Sequence, residues 1–496
     1  MIIVQLNKDD YAYDIHSLVK AFYPSENVSV CTAPRDVSEP VPLQISVDYE
    51  SGRIRIRLQE AENKLEPVVK TRQPAGNKFG EIVFAVNEDD RKETKNLLKQ
   101  NIYRMLSAHT GRTLPWGNLT GIRPVKIPMT MLEEGRKPAE IADYMSRTYT
   151  VSKEKIDLSI EIAQRELGLL QRLDIDRGYS LYIGIPFCPS TCLYCSFTSF
   201  PISKWKKQVD TYLDVLEKEI VCMAEHFAGR YLNSIYIGGG TPTTLTPEQS
   251  DRLLTCLEQK LDLSHLLEFT VEAGRPDSID REKLAVLRAH GISRISINPQ
   301  TMKQETLDLI GRRHTAAQTV ESFRLARSMG FDNINMDLIM GLPEETLDDV
   351  RHTLEQVREL APDSLTVHSL ALKRAARLQM FKEDYAGLKM VNTQEHLDAA
   401  ADACAQMGMT PYYLYRQKNM AGNFENVGYA KDGKAGIYNV LTMEEKQTIV
   451  ACGAGSISKR VYPDGRIERC ENVKDVSQYI ERIGEMIERK RVLLED

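Results

Sequence analysis

The chain lacks the features that mark secreted, membrane-spanning or nucleic-acid-coating proteins. It has no long apolar run: the amino terminus, MIIVQLNKDDYAYDI, turns charged after a brief apolar start, so neither a signal peptide nor a membrane span is readable. It has no excess of positive charge. Lys and Arg number 64 against 70 Asp and Glu, a net charge of −6, which excludes the broad positive field of a non-specific nucleic-acid binder and leaves any anion to local clusters. Nine cysteines are too few and too unevenly placed for a disulfide framework in a chain this long, so a reducing, cytoplasmic compartment is expected. Aromatic residues are sparse at 7%, yet 42% of the 496 residues are hydrophobic, enough to build a core and two or three domains.

From about residue 176 to 370, short β-rich apolar runs alternate with longer amphipathic ones, the pattern of repeated βα units on a parallel sheet. Six strands are predicted, at 181–187, 234–239, 268–273, 294–300, 333–339 and 364–370. Helical spacing without internal proline occupies 205–226, 247–260, 281–290, 315–329 and 347–360. Six such units suit a partial barrel or a wide open sheet, with the site on the loops at the carboxyl ends of the strands. Residues 1–112 read as a small α+β domain: a strand at 2–6, a helix at 11–22, a hairpin of 43–49 and 54–58 turning at Ser51-Gly52, a strand at 81–86 and a helix at 89–109. A loop and helices at 138–147 and 152–173 make a connector over 113–175, leading to a core at 176–375. Residues 376–496 read as a mixed α/β region with a helix at 393–407, a loop from 411 to 438 and a terminal helix from 476.

The cysteines are the informative scarcity. Cys31, Cys222, Cys256, Cys404, Cys452 and Cys470 are scattered and read as small buried residues, whereas Cys188, Cys192 and Cys195 crowd into one short stretch immediately after the first core strand. Three readings compete. A structural zinc site usually takes four ligands from two separated pairs, and no second CxxC or HxxxH pair exists. A disulfide with a spare thiol suits a reducing compartment poorly. A [4Fe–4S] cluster held by three cysteines, with one iron open, fits best.

The other strand ends carry groups that can hold a small polar ligand. The second ends in GGGTPT (238–243), where absent side chains let backbone approach a ligand. Glu272, Gln300 and Asp337 stand at the third, fourth and fifth, and Arg312 offers a fork for a carboxylate.

The C-x3-C-x2-C run within YIGIPFCPSTCLYC (182–195) resembles the motif of radical S-adenosylmethionine (SAM) enzymes. With GGGTPT, Glu272, Gln300, Gly-Arg-x-His at 311–314, the Asp-Leu-Ile-x-Gly-Leu-Pro segment from Asp337 and GAGSIS (453–458), the stretch 179–458 is similar to the oxygen-independent coproporphyrinogen III oxidase family. The amino-terminal extension with WGNLTGIRPVK (116–126) looks like that of its coproporphyrinogen dehydrogenase subgroup, the HemZ type. The resemblance implies a partial (β/α)6 TIM-like radical SAM barrel, a [4Fe–4S] cluster on Cys188, Cys192 and Cys195, and SAM on its open iron as the source of a 5′-deoxyadenosyl radical. It further implies SAM contacts at Tyr182, Tyr194, Gly239, Gly240, Thr241, Glu272, Gln300, Arg312, Asp337, Ala371 and Ile457, with Tyr182 also counted among the catalytic residues.

The implied reaction converts two propionates of coproporphyrinogen III to vinyl groups, giving protoporphyrinogen IX, with a low-potential donor such as flavodoxin or ferredoxin. Carboxylates leaving water need charge-assisted partners, for which Arg313, Lys373, Arg374, Arg416 and Lys418 are the candidates, with Arg377 beside them. One position departs from the pattern. Family members with established decarboxylase activity carry a fourth cysteine, as CxxxCxxCxC, where this chain has Phe197; the same Cys-x-Phe occurs in related haem chaperones, which bind haem and SAM. Haem binding and delivery, or radical chemistry on another tetrapyrrole, are the alternatives.

Overall fold

The computed structural model describes residues 1–495 apart from 25, 33–42, 61–79, 372, 374, 382, 386 and 418–423. The chain divides into two compact units, Met1–Ile160 and Glu161–Asp496.

In the first unit β1 (Ile2–Leu6) lies parallel to both β2 (Val28–Cys31) and β3 (Leu43–Glu50). β4 (Arg53–Glu60) and β5 (Glu81–Ala85) complete the sheet antiparallel, in the order β2-β1-β3-β4-β5. The alternation in the hairpin places Ile45, Val47, Ile54 and Ile56 on a buried face, with Ile15, Leu18, Leu98, Ile102 and Leu106 of the helices Ala12–Phe22 and Arg91–Thr110 in the same core. The opposite face carries Arg55 and Arg57 in half-buried ion pairs with Glu50 and Asp48.

The second unit is built on an eleven-stranded sheet. β6 (Gly178–Ile185), β7 (Tyr231–Gly239), β8 (Glu268–Glu272), β9 (Arg294–Ser296), β10 (Ile334–Met340) and β11 (Ser364–Ser369) are parallel and adjacent in chain order. They match the six predicted strands, and the intervening helices Val209–His226, Pro247–Lys260, Arg281–Ala289, Ala316–Ser328 and Leu347–Leu360 match the predicted ones within a few residues. This is the α/β partial barrel expected, left open. Leu181, Ile183, Ile235, Ile237, Ile295, Ile334, Met336, Leu338, Leu365 and Val367 are buried along it, as strands covered on both faces require.

The described part of the 411–438 segment is not the loop its Gly, Asn and Tyr content suggested. It holds β12 (Thr410–Tyr415), β13 (Asn426–Ala430) and the start of the helix Ile437–Glu444, and β13 pairs antiparallel with both β12 and β11. Tyr412, Tyr413, Leu414, Val427 and Tyr429 are buried there, so packing overrides composition. On the other edge β14 (Thr448–Cys452) lies parallel to β6 and begins an antiparallel extension through β15 (Ile457–Val461) and β16 (Ile467–Glu471). These strands were not anticipated. Ser180, Asn233 and Gln447 fasten β14 in place: Gln447 accepts from the Ser180 hydroxyl at 3.0 Å and donates to Asn233 at 2.7 Å.

A buried polar knot secures this edge. The Glu219 carboxylate accepts from the Gly453 amide at 2.8 Å, the Asn472 amide at 2.8 Å, the Tyr479 hydroxyl at 2.6 Å and the Lys490 ammonium. Gly453 is required there: its φ is +101°, and an added Cβ would stand 2.4 Å from the Gly184 carbonyl oxygen. Cys452, Cys222 and Cys404 are buried, while Cys31, Cys256 and Cys470 are partly accessible. Burial pushes the Cys452 thiol well above its ordinary range, so it behaves as a small core residue.

Candidate functional site

The chain leaves β6 through Pro186 and Phe187 and enters the cysteine loop. The glycine turn after β7 braces it: the Gly240 amide donates to the Ile185 carbonyl at 2.8 Å and the Thr241 amide to the Phe187 carbonyl at 2.7 Å. Glycine is needed at 240 for this contact, because a Cβ would lie 2.6 Å from the Phe187 oxygen. The close approach that the triple glycine suggested is thus made first to the cysteine loop itself. Further along, the Leu193 amide donates to the Ile310 carbonyl at 2.9 Å and the Ser190 hydroxyl to the Gly311 carbonyl at 3.0 Å.

Cys188, Cys192 and Cys195 line one cavity of about 210 Å³ with Tyr194, Phe197, Gly239, Gly240, Thr241, Glu272, Gln300, Arg312, Asp337, Ala371 and Lys373. Glu272 closes β8 as expected, but β9 stops at Ser296, so Gln300 lies in the loop beyond it, and Asp337 sits within β10 rather than at its end; all three still reach the one cavity. Tyr182 stands behind this wall, its hydroxyl 3.3 Å from where a Gly239 Cβ would be, and its ring stacks on Tyr236 and Tyr438 with centroids 6.2 Å away in each case. Ile457 opens β15, is 42% exposed and is not among the residues lining the cavity. Arg313 lines a neighbouring crevice with Arg377, on the Pro189–Thr191 side of the cysteine loop. Arg416 is buried, which lowers its pKa to about 10 against the pull of Glu425. Arg374 and Lys418 lie outside the described residues.

The charges of the cavity are ordered. Arg312 is buried, donating to the Asn298 carbonyl and, at 3.2 Å, to the Tyr194 hydroxyl, while its Nε has no protein partner. Gln300 adopts a φ of +69°, held by its amide to the Asp337 carbonyl at 2.9 Å and by the Ile339 amide to its own carbonyl at 3.0 Å; its side-chain oxygen is buried without a partner. A strained backbone presenting an unsatisfied oxygen to a cavity is the kind of conformation found at ligand sites. Burial raises Glu272 to about 7, opposed by the hydroxyl of Tyr236. Burial acts on Asp337 in the same sense, but hydrogen bonds and charge from His368 prevail and hold it below its ordinary value. His314, in the run after Arg312, is wholly buried with no hydrogen bond to either ring nitrogen and Nδ1 3.9 Å from Asp277, and burial drops it to about 3. It is a neutral core residue.

Sequence reasoning missed Arg275, Asn298, His368, Tyr415 and Gln417, which share the cavity lining. Arg275 follows Glu272 within one turn of chain and could have been suspected from a charged residue among glycine and proline. The others carry no local signature.

The donor set fits a thiolate-bound iron–sulfur cluster. All three cysteines are free of disulfides and face one cavity. Among the described residues no three His, Cys, Asp or Glu side chains converge as they would on a single ion. Burial pushes the Cys195 thiol up to about 11 and raises Cys188 as well, so these thiols are neutral until a metal displaces their protons. Thr241 donates to the Cys188 sulfur at 3.4 Å and Arg275 to the Cys192 sulfur at 3.7 Å, the outer-sphere donors such a cluster needs. The orphaned Gln300 and Arg312 atoms provide for a polar co-ligand.

Comparison with known proteins agrees. The Radical SAM superfamily profile matches residues 182–357. The chain is 42% identical over 412 residues to the oxygen-independent coproporphyrinogen-III oxidase-like protein HemZ of Bacillus subtilis, covering 82% of each. It is 39% identical over 195 residues to the heme chaperone HemW of Bacillus subtilis, covering 39% of this chain and 51% of that one. The solved structure of coproporphyrinogen III oxidase (HemN) from Escherichia coli, described as a radical SAM enzyme, matches with a TM-score of 0.51 at 26% identity, over 65% of this chain and 73% of its own. A cysteine loop, a braced glycine turn and convergent strands, matched over this length, place the chain in the radical SAM superfamily, whose cofactors are a [4Fe–4S] cluster and SAM, and within it in the oxygen-independent coproporphyrinogen III oxidase-like family.

Proposed function

We propose that the protein is a coproporphyrinogen dehydrogenase-type oxidoreductase, decarboxylating two propionates of coproporphyrinogen III to give protoporphyrinogen IX in porphyrin biosynthesis. The observation that carries this reading is the lining of the cysteine cavity, which also holds Lys373, His368, Tyr415 and Gln417, groups suited to a propionate carboxylate.

When bound, the cluster and SAM supply one-electron chemistry that abstracts a hydrogen atom from the substrate. The chain's own residues bind and orient. Cys188, Cys192 and Cys195 ligate the cluster; Arg312 offers its Nε, which has no protein partner, to the SAM carboxylate, with Gln300 beside it; Glu272 and Asp337 accept from the ammonium and ribose hydroxyls; Gly239, Gly240 and Thr241 leave room for the ligand and shape the wall. Tyr182 backs the glycine turn. Lys373 takes the substrate carboxylate, a role less suited to Arg416, buried behind the wall, or Arg313, which faces the outer crevice. A low-potential carrier such as flavodoxin or ferredoxin provides the electron. Among the described residues no helix is long and apolar enough to cross a membrane, and a cytoplasmic site of action is part of this proposal.

Anaerobic reconstitution followed by assay with coproporphyrinogen III and SAM tests the reading. Vinyl products support it; SAM cleavage on an intact cluster without vinyl product defeats it.

Phe197 favours a second reading, haem binding and delivery. Its ring is 70% exposed at the cavity, with the Lys373 ammonium 6.0 Å from its centroid. Stoichiometric haem uptake with a Soret shift supports this reading, and the absence of any Soret change excludes it.

A further inference from the structure

Arg275 carries a permanent charge on a side chain only 4% accessible, and its contacts fall into two sets. Asp277 takes one edge of the guanidinium in a bidentate pair, 2.9 Å from Nε and 2.7 Å from Nη2. Nη1 points the other way, donating to the Ser190 hydroxyl at 3.0 Å, the Ser190 carbonyl at 3.3 Å and the Cys192 sulfur at 3.7 Å. Cys188 is met differently, by the neutral Thr241 hydroxyl. Cys192 is thus the sulfur that a cationic side chain reaches by hydrogen bond.

Guanidinium does not lose its proton in a protein, and its fork fixes the direction of each N–H. Hydrogen bonds to cluster sulfurs and nearby positive charge favour the electron-rich state and so set reduction potential. We propose that Arg275, aimed by Asp277, is a positioning residue that raises the reduction potential of the cluster through the Cys192 sulfur. An electron from a low-potential carrier adds one negative charge there; no bond is made or broken, and the carrier is oxidised by one electron. The proposal rests on the radical SAM assignment and not on the tetrapyrrole.

The test is an EPR-monitored redox titration of the anaerobically reconstituted full-length protein beside R275Q, R275K and D277N. The expected result is a more negative midpoint for R275Q, with smaller shifts of the same sign for R275K and D277N, at unchanged iron content. Midpoints equal to the parent's overturn the proposal. Should R275Q fail to hold a cluster, R275K and D277N decide, and parental midpoints in both again overturn it. A parent protein that takes up no cluster defeats the radical SAM assignment and the proposal together, whereas missing vinyl product with shifted midpoints defeats only the tetrapyrrole reading.

Discussion

Glu219 and Lys490, 271 residues apart in sequence, form an ion pair in which neither side chain is accessible to solvent. Breaking such a pair leaves a charge stranded in the interior, typically at about 3–5 kcal/mol. Lys490→Met strands the Glu219 carboxylate and is expected to lower unfolding free energy by that order, read as a shift in denaturant midpoint. Pairing it with Glu219→Leu removes the stranded charge and recovers part of the loss. A Lys490→Met midpoint at the parental value defeats the assignment of this knot as a major tie.

Gly240→Ala tests the bracing of the cysteine loop. The new Cβ cannot coexist with the Phe187 carbonyl 2.6 Å away, so the loop or the turn moves. The expected outcome is a several-fold fall in iron incorporated per chain with circular dichroism unchanged; parental iron content shows that the contact does not govern loop geometry.

Glu272 yields a pH dependence. Its pKa of about 7 means the folded protein binds this proton more tightly than the unfolded chain. The resulting stability is present below the ordinary carboxylate range and is lost as pH rises through 7. Ligand binding runs the opposite way, since accepting from ribose hydroxyls or an ammonium needs the ionised form. SAM affinity measured by calorimetry is expected to weaken up to about tenfold per pH unit below 7, and Glu272→Gln to flatten that profile. An equally steep profile in the variant assigns the titration elsewhere.

Phe197→Cys restores the fourth cysteine of the decarboxylase pattern. Cluster iron content is expected to stay unchanged, because three thiols suffice, while Cys195→Ala empties the site. Additional iron in Phe197→Cys contradicts the three-ligand assignment.

The half-barrel was legible because each βα unit announces itself locally. The helices Pro247–Lys260 and Leu347–Leu360 carry apolar residues at helical spacing with no internal proline, and both were read to the residue. The cysteine spacing and the acids Glu272 and Asp337 were legible for the same reason: each is a short pattern with one chemical meaning. What escaped was non-local. β14 has a partner distant in the chain, and its short apolar run says nothing of where it will insert. Arg275 acquires its place from Asp277 and Ser190 together, which no spacing encodes. The hairpin of β12 and β13 was hidden by Pro411 and Gly428, residues that Tyr413 and its neighbours outweigh through burial.

The insertion of β14 beside β6 has a consequence for the order of assembly. Gln447 reaches Ser180 across 267 residues, so during synthesis the strand that feeds the cysteine loop emerges with one backbone edge unsatisfied. That edge stays open until nearly the whole unit has left the ribosome. Pairings of such separation form late and expose strand edges meanwhile. A protein shortened before Thr448 leaves the β6 edge unpaired and is expected to aggregate.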